Sequence, residues 1–259
     1  MNKILIRKAL EESYRELLPY SSKYNHDFNR YLFSLEIIMG LDNVKGKKLL
    51  DFGTGIGLMP LALNKLGLIS EGLEYYIFPD RNNEMFGISD IDNLLFLWKR
   101  LEIIVHNYSL FDESLRDKIG TFDIILSEAT IEHIKDPKDF FKQCRSLLSS
   151  GGYLLVTTPN IATLIKRLRF LFGKTTNWPI KDFFIEGDNF TGHWREYTKE
   201  ELKYMAFKSD FKVVKFDTKN VYINFKSFKR FRKNIRILLS LLSYPFPNMS
   251  DIHYMLCQK

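Results

Sequence analysis

Residues 49–57 read Leu-Leu-Asp-Phe-Gly-Thr-Gly-Ile-Gly, and few folds accommodate such a run. The apolar stretch over residues 47–52 is a short buried strand that ends by delivering an acid, Asp51. Three glycines then turn the chain into a helix expected over residues 57–66 and closed by Gly67. Glycines at such a turn let the backbone approach a ligand closely and take angles closed to other residues. The spacing is G-x-G-x-G, and Leu58 stands where a dinucleotide fingerprint has its third glycine. No Lys-Ser/Thr pair follows, which excludes a P-loop. An acid just ahead of the glycines suits a ligand carrying a cationic amine better than a pyrophosphate.

The surrounding pattern places this turn in an α/β protein. Apolar periodicity predicts helices over residues 3–18 and 26–40. Further strands are expected over residues 71–76, 102–106, 122–127 and 153–158, with a helix-like stretch over 91–101 and a helix over 137–148 stopped by Gly151-Gly152. Thr198 followed by Glu201 is a capping box opening a helix over residues 198–207. Strands over 211–216 and 251–257 flank a basic amphipathic helix over 226–243. Helices alternating with strands argue for a parallel sheet covered on both faces.

Composition narrows the classes. With 45% hydrophobic and 15% aromatic residues the chain buries a core and is not disordered. No apolar run reaches the ~18 residues of a membrane span; the longest, residues 237–246, is broken by Ser240 and Ser243. Lys3, Arg7 and Lys8 are followed at once by Glu11 and Glu12, so no signal peptide is expected. Cys144 and Cys257 form no metal or disulfide pattern and are expected to be reduced and packed, as in a cytoplasmic protein. The net charge of +7 is uneven: residues 226–236 carry six cations and residues 161–174 four, with no acid in either. Without those ten, 28 basic residues remain against 31 acidic ones, so the basicity is confined to two segments suited to an anionic partner.

Candidate functional residues cluster at the expected strand ends. Glu74 closes the second strand, where a carboxylate grips a ribose diol in nucleotide-binding α/β sheets. Asn107 follows the third strand and offers an amide to a base edge. After the fourth strand comes Ile131-Glu132-His133-Ile134-Lys135-Asp136-Pro137, and later Gly151-Gly152-Tyr153-Leu154-Leu155-Val156-Thr157-Thr158-Pro159-Asn160. This ordered set, over residues 45–217, resembles the class I S-adenosylmethionine (SAM)-dependent methyltransferases. The likeness is to the branch with EHxxDP and GGxLLxxTPN blocks, which includes ubiquinone-type and glycan-cluster O-methyltransferases.

The resemblance implies a Rossmann-like seven-stranded sheet, its last strand antiparallel, with N-terminal helices and an aromatic helical lid. It implies SAM as cofactor. Asp51, Gly53, Thr54 and Gly55 would line the methionine moiety, Glu74 the ribose and Asn107 the adenine, with Glu128 in the channel to the acceptor. The ubiquinone-type branch has E-x-x-E-H after the fourth strand; here Ala129 replaces the first acid, so no metal site is expected. Gly192-His193-Trp194-Arg195-Glu196-Tyr197-Thr198 resembles a GHxREYT block of putative glycan-cluster enzymes. It offers His193, Arg195 and Tyr197 as catalytic candidates beside His133, since a neutral imidazole can take a proton from a hydroxyl near pH 7.

The domain reading is an N-terminal helical extension over residues 1–44 and a methyltransferase domain over 45–259. Within the latter, residues 160–197 form a substrate lid and residues 220–250 a basic amphipathic insertion. The expected activity is methylation of a hydroxyl on a small molecule, a sugar or cell-surface glycan precursor or a lipid-linked substrate, with peripheral membrane contact through residues 226–243. A non-catalytic binding module is the alternative. A nucleic-acid methyltransferase fits less well, because Ser127-Glu128-Ala129-Thr130 lacks the proline and aromatic that grip a planar amine.

Overall fold

The protein is described by a computed structural model covering residues 2–75, 91–187, 190–222 and 246–259. The expected basic helix over residues 226–243, and the loop holding Pro79 and Gly87, lie outside the described residues. Strands β1 (Lys48–Phe52), β2 (Ile69–Glu74), β3 (Val105–Asn107), β4 (Phe122–Glu128), β5 (Leu148–Pro159), β6 (Lys212–Lys219) and β7 (Ile252–Gln258) form one sheet. Their order is β3-β2-β1-β4-β5-β7-β6. β1 pairs in parallel with β2 and β4, and β2 with β3. β7 is reversed: the Asn160 N–H donates to the Asp251 carbonyl at one end of β5, and the Lys259 N–H to the Gly152 carbonyl at the other. The mixed seven-stranded α/β sheet is therefore as expected.

The chain divides into two compact units. The first comprises Met1–Glu128, Lys142–Leu155 and Gln258–Lys259. In it, helices α1 (Lys3–Glu16), α2 (Phe28–Ile38), α3 (Leu58–Lys65), α4 (Ile91–Arg100) and α5 (Leu115–Ile119) join the strands. Leu10, Leu17, Leu35, Ile38, Leu49 and Phe52 are fully buried, and β1 is buried on both faces, as parallel strands covered by helices are. The second unit comprises Ala129–Phe141 and Val156–Cys257 and includes α7 (Leu164–Leu171), α8 (Ile180–Glu186) and α9 (Lys199–Lys208). Its core holds Tyr197, Leu202, Ala206, Phe211 and Tyr254. Helix α6 (Pro137–Leu147) runs from the second unit into the first and buries Phe140, Phe141, Cys144 and Leu147 along one stripe. Both cysteines are free and buried, and burial pushes the Cys257 thiol up to about 12.

Several boundaries differ from the expected ones for local reasons. The third strand was expected at residue 102, but Glu102 sits in the left-handed region (φ 56°) and ends α4. Its N–H donates to the Lys99 carbonyl and that of Ile103 to Trp98, the pairing of a Schellman cap, so β3 starts only at Val105. Gly151-Gly152 is not a helix stop: α6 ends at Leu147 and β5 runs through both glycines. Gly152 is needed there because a Cβ would lie 2.9 Å from the Asp123 carbonyl oxygen. The end of α6 is instead capped by Lys259, whose ammonium donates to the carbonyls of Arg145 (2.8 Å) and Leu148 (2.6 Å). The capping box of α9 forms as predicted, with the Thr198 N–H 2.8 Å from Glu201 Oε2 and the Glu201 N–H 3.2 Å from Thr198 Oγ1. A 3-10 helix over Tyr20–Asp27 carries no apolar period and was not foreseen.

Candidate active site

In the first unit the glycine turn is tied to β2. The N–H groups of Gly53 and Thr54 donate to the Leu73 carbonyl at 2.9 and 3.1 Å. Gly55 (φ 57°) and Gly57 (φ 78°) occupy the left-handed region that other residues avoid. Among the described residues the space above Gly55 is open, and a Cβ there would meet only the Tyr24 hydroxyl at 4.0 Å. At Gly57 a Cβ would lie 2.9 Å from Nε1 of Trp98, which donates to the Ile56 carbonyl at 2.8 Å and so clamps the turn from α4. Gly72 is small for a related reason: a Cβ there would lie 2.5 Å from Cγ2 of Thr54.

Asp51 is 1% exposed and registers between Gly72 of β2 and Leu126 of β4. Its Oδ2 accepts a 2.6 Å hydrogen bond from the Thr54 hydroxyl, while its buried Oδ1 accepts none from the described residues. Burial pushes its pKa up to about 8, against the lowering effect of the Thr54 bond, and the nearby Glu128 and Glu74 add to the rise. Glu74, also buried, accepts from the Gly55 N–H at 2.9 Å and from the Tyr75 N–H at 3.1 Å. Burial raises its pKa while these backbone bonds lower it. Asn107 stands beside Glu74 in the β2–β3 register, and the neighbouring His106 pairs with Glu71 at 2.6 Å.

Glu128 has an environment that sequence reasoning missed. Its Oε2 lies 3.6 Å from Nε of Arg30, whose NH2 lies 3.5 Å from Asp27. All three side chains are at most 8% exposed. Tyr14, Tyr24 and Tyr31 adjoin this triad, and burial holds each phenol above its usual pKa. The signal was present as Asp27 and Arg30, three residues apart at a helix start, but nothing in the sequence gave their partner.

An unfilled buried carboxylate oxygen above an open glycine turn fits a ligand that brings a cation and lies flat on the backbone. That is the chemistry of the methionine end of SAM.

The second unit gathers a different set. Glu132, fully buried, accepts from the Thr158 hydroxyl at 2.8 Å. Its carbonyl accepts from the N–H groups of Trp194 (2.8 Å) and Arg195 (3.3 Å), pinning the His193 loop. His133 Nδ1 lies 2.8 Å from the Thr191 carbonyl, and His193 Nδ1 lies 3.1 Å from Glu196 Oε1. The two rings meet edge to face at 4.8 Å, and the Trp178 ring centroid also lies 4.8 Å from that of His193. Glu196 also contacts the Lys166 ammonium, whose pKa is lowered to about 8, chiefly by burial.

Of the four residues singled out as catalytic, the structure brings His133 and His193 together. Arg195 instead pairs with Glu201 at the start of α9, and its guanidinium lies 5.8 Å from the Tyr197 ring centroid. Tyr197 is 1% exposed, with its pKa raised to about 12 by burial. Glu196, the partner of His193, was missed, although it lies three residues away within the same block. Six of the aromatics of residues 160–197 fall into two groups. Phe183, Phe190 and Trp194 form a cluster with centroids 5.3–5.6 Å apart, while Phe170, Phe172 and Phe184 are 73–84% exposed.

The strand order, the reversed β7 and the acid–glycine turn define the Rossmann-like class of cofactor-binding α/β proteins. The model of a family described as "Methyltransferase domain" matches residues 24–215. The chain belongs to this family, the class I SAM-dependent methyltransferases. Its relatives include ubiquinone biosynthesis O-methyltransferases. That of Paraburkholderia phymatum is 26% identical over 119 residues, which are 46% of this chain and 47% of the relative. That of a Caulobacter species is 28% identical over 116 residues, 45% of this chain and 42% of the relative. The chain thus spans about half the length of the curated relatives it matches. Among solved structures, a possible histamine N-methyltransferase from Thermotoga maritima superposes with a TM-score of 0.53 at 17% identity, covering 97% of this chain and 99% of that one. A Haemonchus contortus phosphoethanolamine N-methyltransferase in complex with SAM gives 0.51 at 18% identity, covering 89% and 52%. At these identities the structures establish the fold.

Proposed function

We propose that this protein transfers the methyl group of SAM to a hydroxyl of a small molecule, a glycan precursor or a lipid-linked substrate. The observation that carries the hydroxyl reading is the paired state of His133 and His193. A carbonyl and a carboxylate only accept, so each Nδ1 carries a proton, and in the neutral ring Nε2 is then the basic nitrogen. Two such nitrogens beside a buried carboxylate suit an acceptor that must shed a proton. The O-methyltransferase names of the relatives favour the same acceptor type.

The bound cofactor supplies the methyl electrophile. Asp51, Gly53, Thr54 and Gly55 hold its methionine end, with the Asp51 carboxylate facing the ammonium. Glu74 binds the ribose diol through lone pairs not used by the backbone, and Asn107 meets the adenine. Glu128 is held by Arg30 and bounds the site. In the second unit, Glu196 fixes the tautomer of His193 so that Nε2 faces the acceptor. Within the second unit, His133 and His193 would take up the proton shed by a hydroxyl held there. Replacing His193 with alanine is expected to lower turnover by ~10²-fold and leave SAM affinity unchanged. Single-turnover rates with radiolabelled SAM beside calorimetric SAM titration separate the two; unchanged turnover would remove His193 from the reaction.

Among the described residues no helix is long and apolar enough to cross a membrane. The lipid-linked reading is supported by α7 and α8, which bury no side chain. Leu171, Phe172, Ile180, Phe184 and Ile185 are all more than 70% exposed, beside Arg167, Arg169, Lys174 and Lys181. Apolar side chains interleaved with cations suit the surface of an anionic bilayer. The chain is expected to co-sediment with phosphatidylglycerol vesicles at low salt, and replacing Phe172 and Phe184 with serine should release it. A chain that stays in the supernatant under those conditions removes the membrane contact.

A further inference from the structure

We propose that Lys166 is a positioning residue for His193 and acts through Glu196: the ammonium holds the carboxylate, and the carboxylate holds the imidazole. The Lys166 ammonium contacts Glu196 Oε2, and the other oxygen of the same carboxylate lies 3.1 Å from His193 Nδ1. The three side chains are 14–20% exposed, so the relay is largely withdrawn from water. It departs from the expectation for residues 161–174, whose four cations read together as a face for an anionic partner.

Three features separate this lysine from a surface cation resting on an acid. The first is its direction. Arg167 and Arg169 of α7 are exposed, whereas Lys166 is half-buried and its ammonium also donates to the Asn160 carbonyl at 3.3 Å. The second is the bracing of that anchor. Asn160 is fully buried, and its amide donates to the carbonyls of Asn248 (2.9 Å) and Ser250 (2.8 Å). Asn160 is bridged to Tyr197, and the Ile161 N–H donates to the Tyr197 carbonyl at 3.2 Å. The segment entering α7 is thus laced to the residue that follows Glu196, so lysine and carboxylate meet across a fixed junction. The third is charge. Lys166 faces the acids Glu196, Asp251 and Glu132 and the cation Arg169, while Glu132 and His133 have polar atoms within 4.8 Å of His193. A carboxylate withdrawn from water is costly without a cation. Paired with Lys166, Glu196 stays ionised and aimed at Nδ1.

The bond made by one ring nitrogen sets which nitrogen of a neutral imidazole carries the proton. A carboxylate only accepts, so Glu196 selects the form protonated at Nδ1, and Lys166 secures that choice at one remove. In the hydroxyl-transfer reading, on which this use of the relay rests, the effect falls on turnover, because only that form takes up a proton at Nε2. The cofactor residues of the first unit are untouched. The relay itself does not depend on that reading. His133 is an internal comparison, since its Nδ1 meets the carbonyls of Thr191 and Gly192 and not Glu196.

The test reads the ring form of each histidine from the nitrogen chemical shifts of the isotopically labelled full chain at alkaline pH. His193→Gln and His133→Gln assign the two signals by their loss. In the parent chain His193 should carry its proton on Nδ1. In Lys166→Met the ratio of the Nδ1 form to the Nε2 form should fall about fivefold to tenfold at His193, with His133 unmoved. Lys166→Arg keeps the cation and should restore the parent signal. Turnover should follow the Nδ1 fraction through all three proteins, with KM for SAM unchanged. Thermal melts identify a variant that fails to fold, and Glu196→Gln then tests the same link from the other side. An ammonium only donates, so Lys166 would claim the amide oxygen and turn the amide N–H groups toward His193 Nδ1. The proton should therefore move to Nε2 at His193 alone. An unchanged His193 signal in folded Lys166→Met overturns the proposal, as does an equal change at both histidines or a Glu196→Gln chain that keeps the Nδ1 form. A His193 that changes form while turnover holds overturns the relay's part in the reaction and leaves the methyltransferase reading standing. A parent chain that binds no SAM removes that reading, and the histidine signals still decide the relay.

Discussion

An Asp51→Ala variant is expected to bind SAM ~10²-fold or more weakly than the parent chain, with its thermal midpoint in the absence of ligand unchanged or raised. Removing one partner of a buried charged contact costs about 2–5 kcal/mol, and each 1.4 kcal/mol is about a tenfold change. Stability moves the other way because the carboxyl costs the empty protein. Its pKa is raised from 3.8 to about 8, so the acid favours the fold when protonated. That contribution is complete below 3.8 and is lost as pH rises through about 8. Over the same window the ligand-free chain should become less stable with rising pH, and Asp51→Asn should flatten the slope. Binding has the complementary dependence. A cationic ligand needs the carboxylate, so a proton leaves as it binds, and affinity falls by up to about tenfold per unit below pH 8. Calorimetry in two buffers of different protonation enthalpy measures that proton directly. Affinity that stays flat from pH 6 to 9 would show that Asp51 does not face the cation.

The second large effect is expected at Arg30. Its guanidinium lies between Asp27 and Glu128, and all three side chains are at most 8% exposed. Replacement by methionine keeps the length of the side chain and removes the cation shared by two buried carboxylates. Breaking a buried ionic group in this way costs about 3–5 kcal/mol. For a chain of this size each kcal/mol moves the midpoint by about 2–4 °C, so a fall on the order of 10 °C is expected by differential scanning calorimetry. A melt unchanged at pH 7 would mean that the triad does not hold the first unit together.

The elements that sequence reasoning located are those whose signal is local. The Asp51–Gly57 run carries its own strand, turn and helix start, and the Thr198–Glu201 box is contained in four residues. What it misplaced depended on a partner elsewhere. Gly151-Gly152 looked like punctuation because the Asp123 carbonyl that forbids a Cβ is nearly thirty residues away in sequence. Glu102 looked like the start of a strand because a Schellman cap on a non-glycine residue leaves little trace. The site was legible to the same degree. Asp51 and Glu74 follow from strand ends, and His133 and His193 from their blocks. Their meeting with Glu132, and the seating of Arg30 against Glu128, needed the fold.

The strand order carries a consequence for how the protein is made. Among the described strands β6 borders only β7, and β7 stands between β5 and β6 although the ribosome produces it after both. Residues 212–219 therefore emerge with no neighbour to pair with and wait through more than thirty further residues for one. During that interval β5 and β6 each present an open edge, which other nascent chains can occupy. The first four strands of the sheet order need no such delay. Synthesis thus leaves a parallel half that can settle early and an edge completed only by the final insertion, so an arrested or truncated chain would expose the second half of the sheet and not the first.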